Sequence, residues 1–131
     1  MNYNKHKSNE SMEDYLETIL MLQKSNGNVR SIDIANELNF TKASVSVAMK
    51  KLRETEYITV DENGYIALTK TGKKIAESIY ERHTVLSTLL VNLGVSKEVA
   101  LEDACRIEHD ISEESFNAIK MHIKKYGKKS W

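Results

Sequence analysis

Apolar positions along this chain fall into helical stripes, interrupted once by two short alternating runs. Met12, Tyr15, Leu16, Ile19, Leu20 and Leu22 recur at three- and four-residue spacing, which predicts a helix with one buried face. Ser11, followed three residues later by Asp14, resembles a capping box and marks its start; Asn26-Gly27-Asn28 marks its stop. Residues 1–10 are polar and are expected to fray. Ser31 and Asp33 open a short second helix carrying Ile32, Ile34, Ala35 and Leu38. After a brief Asn39-Phe40 turn, Thr41 caps a third helix carrying Ala43, Val45, Val47, Ala48, Met49 and Leu52. Of these, Val45, Ala48 and Met49 are assigned to the core.

Two short helices joined by a turn of a few residues make the helix-turn-helix outline. Tyr57-Ile58-Thr59-Val60 and Tyr65-Ile66-Ala67-Leu68 follow at once, rich in β-branched and aromatic residues. They flank Asp61-Glu62-Asn63-Gly64, with its Asn-Gly turn signal, and so predict a hairpin. Helix-turn-helix plus hairpin is a winged helix. Thr69 then begins a long helical pattern through Ile75, Ala76, Ile79, Tyr80, Val85, Leu86, Leu89, Leu90 and Leu93, stopped by Gly94. Ser96 and Ser112 cap two further helices, the last carrying Phe116, Ile119, Met121 and Ile123, and a basic mobile tail follows. The expected fold is mainly α with a small β-hairpin. A winged helix-turn-helix over residues 1–70 precedes a helical metal-binding and dimerisation domain over residues 71–131.

Composition narrows the class. The chain has 131 residues, 40% hydrophobic and 29% charged, with formal net charge zero, so no global field draws it to nucleic acid. Its single cysteine forms no internal disulfide, which fits a reducing cytoplasm. The start has no apolar core of a signal peptide, and no run reaches the roughly 18 apolar residues of a membrane span. A cytoplasmic protein is expected.

Charge is nonetheless local. From Leu38 to Arg53 there are four basic residues and no acidic one, whereas Ser96 to Glu114 holds seven acids against two bases. A third helix that opens on small hydroxyl residues and closes on Lys50, Lys51 and Arg53 suits double-stranded DNA. Thr41, Lys42, Ser44 and Ser46 would face base edges, while Lys50, Lys51 and the wing around Asn63 touch the backbone. Cys105, Glu108 and His109 stand at i, i+3 and i+4 of a predicted helix, with Cβ atoms roughly 5–6 Å apart. Thiolate, carboxylate and imidazole are common transition-metal ligands. Asp14 and Glu17, on one face of the first helix, and His83, in the long helix, are the candidate partners. Cys105 and His109 also make a possible thiol–imidazole pair. With no glycine-rich oxyanion loop, and with a cysteine expected to be buried mid-helix, the reading is no enzyme.

These stretches together resemble the metal-dependent repressors typified by the diphtheria toxin repressor and the manganese transport regulator. Ser11 through Ile19 is similar to their first helix, Asp33 through Leu52 to their helix-turn-helix, and Leu68-Thr69-Lys70-Thr71-Gly72 to the end of their wing. Arg82-His83 and Cys105 through His109 are similar to their ligand stretches. The chain stops where larger members continue into an SH3-like domain, so the resemblance is to the short form. It implies metal ligands at Asp14, Glu17, His83, Cys105, Glu108 and His109. One site would use Asp14, Cys105, Glu108 and His109, and a second Glu17, His83 and Glu108. Asp14 is like the manganese regulators, whereas Cys105 is like the iron-type members and replaces a bridging glutamate. The resemblance implies a homodimeric repressor of metal-ion uptake that binds an operator when activated by Mn2+ or Fe2+, with Zn2+ or Co2+ as further occupants. It also implies that Leu89, Leu90, Ile107, Phe116 and Ile119 are buried between subunits. The alternative is a metal-independent winged-helix regulator that responds to a small ligand or to oxidation of Cys105.

Overall fold

The computed structural model describes the backbone of residues 3–126 and the side chains of residues 11–126. The elements run α1 (Tyr3–Asn26), α2 (Ser31–Leu38), α3 (Lys42–Glu54), β1 (Ile58–Val60), β2 (Ile66–Leu68), α4 (Lys70–Asn92), α5 (Lys97–Asp110) and α6 (Glu113–Tyr126). This is the mainly helical fold with one hairpin that the periodicity predicts. Of the basic tail expected to be mobile over residues 124–129, Lys124, Lys125 and Tyr126 instead form the last turn of α6, and the rest from Gly127 onward lies outside the described residues. Two compact units emerge, Met1–Ser78 and Ile79–Trp131, with the boundary inside α4.

In the first unit the stop signals act as expected, but one start signal does not. Ser11 lies inside α1, which begins at Tyr3, so it is no N-cap. The stretch ahead of it has neither proline nor glycine, and nothing there interrupts the intrahelical ladder. Before α2, the Arg30 N–H donates to Asp33 Oδ2 at 2.8 Å. After it, Asn39 takes the left-handed conformation at φ 56°, which turns the chain into α3. Thr41 Oγ1 accepts from the Ser44 N–H at 3.1 Å and caps that helix. One face of each helix enters a shared core: Leu16, Ile19 and Leu20 from α1, Ile34 and Ala35 from α2, Val45, Met49 and Leu52 from α3. Ala48, assigned to the core on spacing, is only half-buried. Tyr15 meets Phe40 edge-on at 6.0 Å between centroids, which fixes α1 against the helix-turn-helix corner.

The hairpin is antiparallel, with Ile58 opposite Leu68 and Val60 opposite Ile66. Asp61 organises its tip: its Oδ1 accepts from the N–H groups of Asn63 and Tyr65, both at 2.9 Å. Gly64 there has φ +81°, which a side chain would disfavour. On its other edge β2 is bonded to the segment before α2, the Ile66 N–H donating to Val29 O at 2.7 Å. Thr69 closes the unit by donating its hydroxyl to Glu56 O at 2.7 Å while accepting from the Gly72 N–H at 3.2 Å. Gly72 packs so tightly on the Tyr57 backbone that a Cβ would collide with its carbonyl.

In the second unit Leu86, Ala104 and Phe116 form a small core, with Val85, Ile111 and Ile119 against it. Phe116 is therefore filled from within the chain, at 3% exposure, and is not left for a subunit interface as the resemblance implied. Ile107, in contrast, is exposed, and Leu89 and Leu90 are half-buried. Among the described residues, no helix is long and apolar enough to cross a membrane.

Candidate metal centre and nucleic-acid interface

The buried edge of α5 is Ala100, Ala104 and Glu108, spaced by four, so the helix sends a carboxylate where it otherwise sends methyl groups. Glu108 is fully buried. His83, from α4, places Nδ1 2.8 Å from Glu108 Oε2. His109 Nε2 stands 3.5 Å from Glu108 Oε1, longer than an ordinary hydrogen bond. Oε1 has no hydrogen-bond partner among the described residues. Cys105 completes the cluster: one donor atom each from His83, Cys105 and Glu108 lies within 4.8 Å of the others.

Arg82 holds the end of α5 in place. Its Nη1 donates to the carbonyl of Glu108 at 3.2 Å and to that of Ile111 at 2.8 Å. These are helix C-terminal carbonyls with no intrahelical partner, and a guanidinium there is favoured by their partial charge. Its planar head also sits 5.4 Å from the Phe116 ring centroid. Nothing in the spacing of Arg82 signals this role, because its partners are backbone oxygens more than twenty residues away.

A buried carboxylate oxygen without a donor costs free energy unless charge is brought to it. Imidazole, thiol and carboxylate gathered around Glu108 fit a divalent transition metal. Donor atoms on one ion, at bonds of about 2.0–2.3 Å, lie within about 4.6 Å of each other, so the set needs little movement to close. The structure corrects one premise: Cys105 is exposed, not buried. It lies one residue beyond Ala104, about 100° round the helix from the buried edge. On α1, in the first unit, Asp14 and Glu17 share a face; Glu17 is buried and Asp14 half-buried. The neighbouring Tyr15 phenol has its pKa raised, first by burial and then by the Asp14 carboxylate.

On α3, every candidate DNA contact is solvent-exposed: Thr41, Lys42, Ser44, Ser46, Lys50 and Lys51, as is Asn63 at the wing tip. Thr41 and Ser44 are tied together, the Thr41 hydroxyl donating to Ser44 Oγ at 2.9 Å while its oxygen caps the helix. Ala43 and Val47, apolar positions of this helix that were not assigned to the core, are exposed as well. Counting about 100° per residue from Val45 would have placed Val47 on the opposite side.

Residues 7–68 match the N-terminal DNA-binding domain of the iron-dependent repressors, and residues 69–129 match their metal-binding and dimerisation domain. The chain belongs to the iron-dependent repressor family. It is similar to the transcriptional regulator MntR of Escherichia coli, 34% identical over 92% of this chain and 77% of the relative. To the HTH-type transcriptional regulator MntR of Bacillus subtilis it is 38% identical, over 83% of this chain and 77% of the relative. Among solved structures, a manganese-dependent transcriptional repressor in complex with manganese superposes with a TM-score of 0.79 at 27% identity, over 86% of this chain. Only 52% of that structure is covered, so this chain spans about half its length. This family member is a metal-dependent DNA-binding transcriptional regulator and not an enzyme.

Proposed function

We propose that the protein represses genes of metal-ion uptake from the cytoplasm, and that Mn2+ or Fe2+ is its activator. The observation that carries the metal reading is the buried Glu108 carboxylate with its unpartnered Oε1, set among His83, His109 and Cys105. Glu108 supplies the buried carboxylate oxygens. His83 and His109 approach its two oxygens from different elements, and Arg82 holds the helix end from which Glu108 and His109 project. Asp14 and Glu17 are proposed to complete the ligand set from α1, on the strength of the resemblance. A divalent cation, when bound there, would supply the positive charge that the buried carboxylate lacks.

Regulation then follows from linkage. Two subunits must present their α3 helices about 34 Å apart, or a multiple, to meet successive major grooves. A ligand that binds that arrangement alone favours it by about 2.7 kcal/mol at a hundredfold excess over Kd. That shifts the competent population about a hundredfold, enough for a switch with no new DNA contact. The choice of metal rests on the donors: Asp14, Glu17 and Glu108 are hard oxygens suited to Mn2+ and Fe2+, while Cys105 extends the response toward Co2+ and Zn2+. On α3, Lys42, Ser44 and Ser46 are proposed to reach base edges, and Lys50, Lys51 and Asn63 the backbone.

The test is DNA affinity on duplexes selected from a random pool, measured with saturating Mn2+ or Fe2+ and again with a chelator. Binding should fall by about two orders of magnitude when the metal is removed. Equal affinity under both conditions would refute metal control and favour a response to a small ligand or to oxidation of Cys105.

A further inference from the structure

The exposed face of α3 is not uniformly polar. Its buried stripe is Val45, Met49 and Leu52, and Val47 points about 200° away from Val45 around the helix axis. Val47 is 62% exposed, the largest exposure of any bulky apolar side chain among the described residues of the winged helix. Ala43 and Lys50 stand four and three residues from it on the same face, Ser46 is its neighbour in the chain, and all three are exposed, so this crest carries two apolar side chains beside a hydroxyl and an ammonium. A branched aliphatic side chain gains nothing in water at such a place. It can neither donate nor accept a hydrogen bond, so it cannot read a purine edge. The one major-groove feature that complements it is the C5-methyl group of thymine.

We infer that Val47 is a specificity-determining residue, which reads a thymine methyl in each operator half-site, with Ala43 leaving the room for that methyl to approach. This rests on the reading that α3 enters the major groove. Ser46 and Lys50 hold complementary positions beside it, one within reach of a base edge and the other of a phosphate. The crest then selects for T by shape and burial, while its polar neighbours position the helix.

The experiment separates methyl recognition from every other contribution of the base. Duplexes bound by the full chain in excess Mn2+ are selected from a random pool. Each thymine of the selected site is then replaced singly by deoxyuridine, which removes the methyl group and leaves the pairing edge intact. The parent should lose about fourfold in affinity at one thymine per half-site, the value of one buried methyl. Val47→Ala should bind the thymine site more weakly and lose nothing further on the deoxyuridine site, so that the two changes are non-additive. Val47→Ala is on an exposed face, and circular dichroism should report an unchanged fold.

Lys50→Ala distinguishes the two levels of failure. If Lys50→Ala weakens binding but no thymine shows coupling to Val47, α3 reads DNA and the Val47 inference is overturned. If neither Lys50→Ala nor Val47→Ala changes affinity, α3 is not in the groove and both readings fall. Equal loss by Val47→Ala on thymine and deoxyuridine duplexes also overturns the inference, because the side chain then acts on helix placement and not on the methyl.

Discussion

Glu108 is the residue on which the proposed metal centre turns. Its burial is expensive in isolation, and its Oε1 accepts no hydrogen bond among the described residues. Glu108→Gln keeps the shape and removes the anion. The parent should gain about 2.7 kcal/mol of stability at a hundredfold excess of Mn2+ over Kd, a rise in Tm of several degrees. Glu108→Gln should show no such rise, and differential scanning calorimetry with and without Mn2+ checks it. Cys105 tests a different property. Its exposed thiol is the soft member of the set. Cys105→Glu should shift the response toward Mn2+ and away from Zn2+ and Co2+, read as DNA affinity against each metal. An unchanged ranking would mean that the thiol is not a ligand.

At the scale of elements, the joint between wing and long helix depends on one absent side chain. Gly72 lies in the first turn of α4, pressed on the Tyr57 carbonyl just ahead of β1, and Thr69 ties the same corner to Glu56. A methyl group there meets backbone, which cannot rotate aside. Gly72→Ala should therefore destabilise the winged helix by about 1–3 kcal/mol, despite the better helix propensity of alanine. Urea unfolding should show a lower midpoint with an unchanged slope; a midpoint equal to the parent's would mean that the corner yields without cost. The caps at Thr41, Ser96 and Ser112 and the turn at Asp61–Gly64 were all legible in advance, because each depends on residues within four positions of one another. The start of α1 was not, because a capping motif is a preference that a longer helical run overrides.

At the scale of the molecule, the second unit leaves several large apolar side chains outside its small core. Leu93 and Met121 are each 72% exposed, and Val91, Val99, Leu101 and Ile107 add to them. That exposed set agrees with the dimerisation domain matched over residues 69–129. Sedimentation equilibrium at micromolar concentration should give twice the 15.0 kDa chain mass without DNA or metal. A monomer would mean that association waits for a ligand or an operator. Phe116 will not take part, since it is already enclosed beside Leu86 and Ala104.

Periodicity, capping residues and turn signals were enough to derive the winged helix and the three helices after it, because backbone hydrogen bonding and the burial of one helical face act over a few residues. The donor types were legible too, because Cys105, Glu108 and His109 share a helix and their spacing alone brings them close. Burial within that trio was not. Which of the three turns inward depends on the rotation of α5 against α4, and that rotation is set by Ala104 and Phe116 packing with Leu86. The same packing buried Glu108, left Cys105 in solvent and brought His83 to the carboxylate across twenty-five residues of chain. Contacts of that separation are decided by side-chain volume and close packing in three dimensions, and no short-range pattern encodes them.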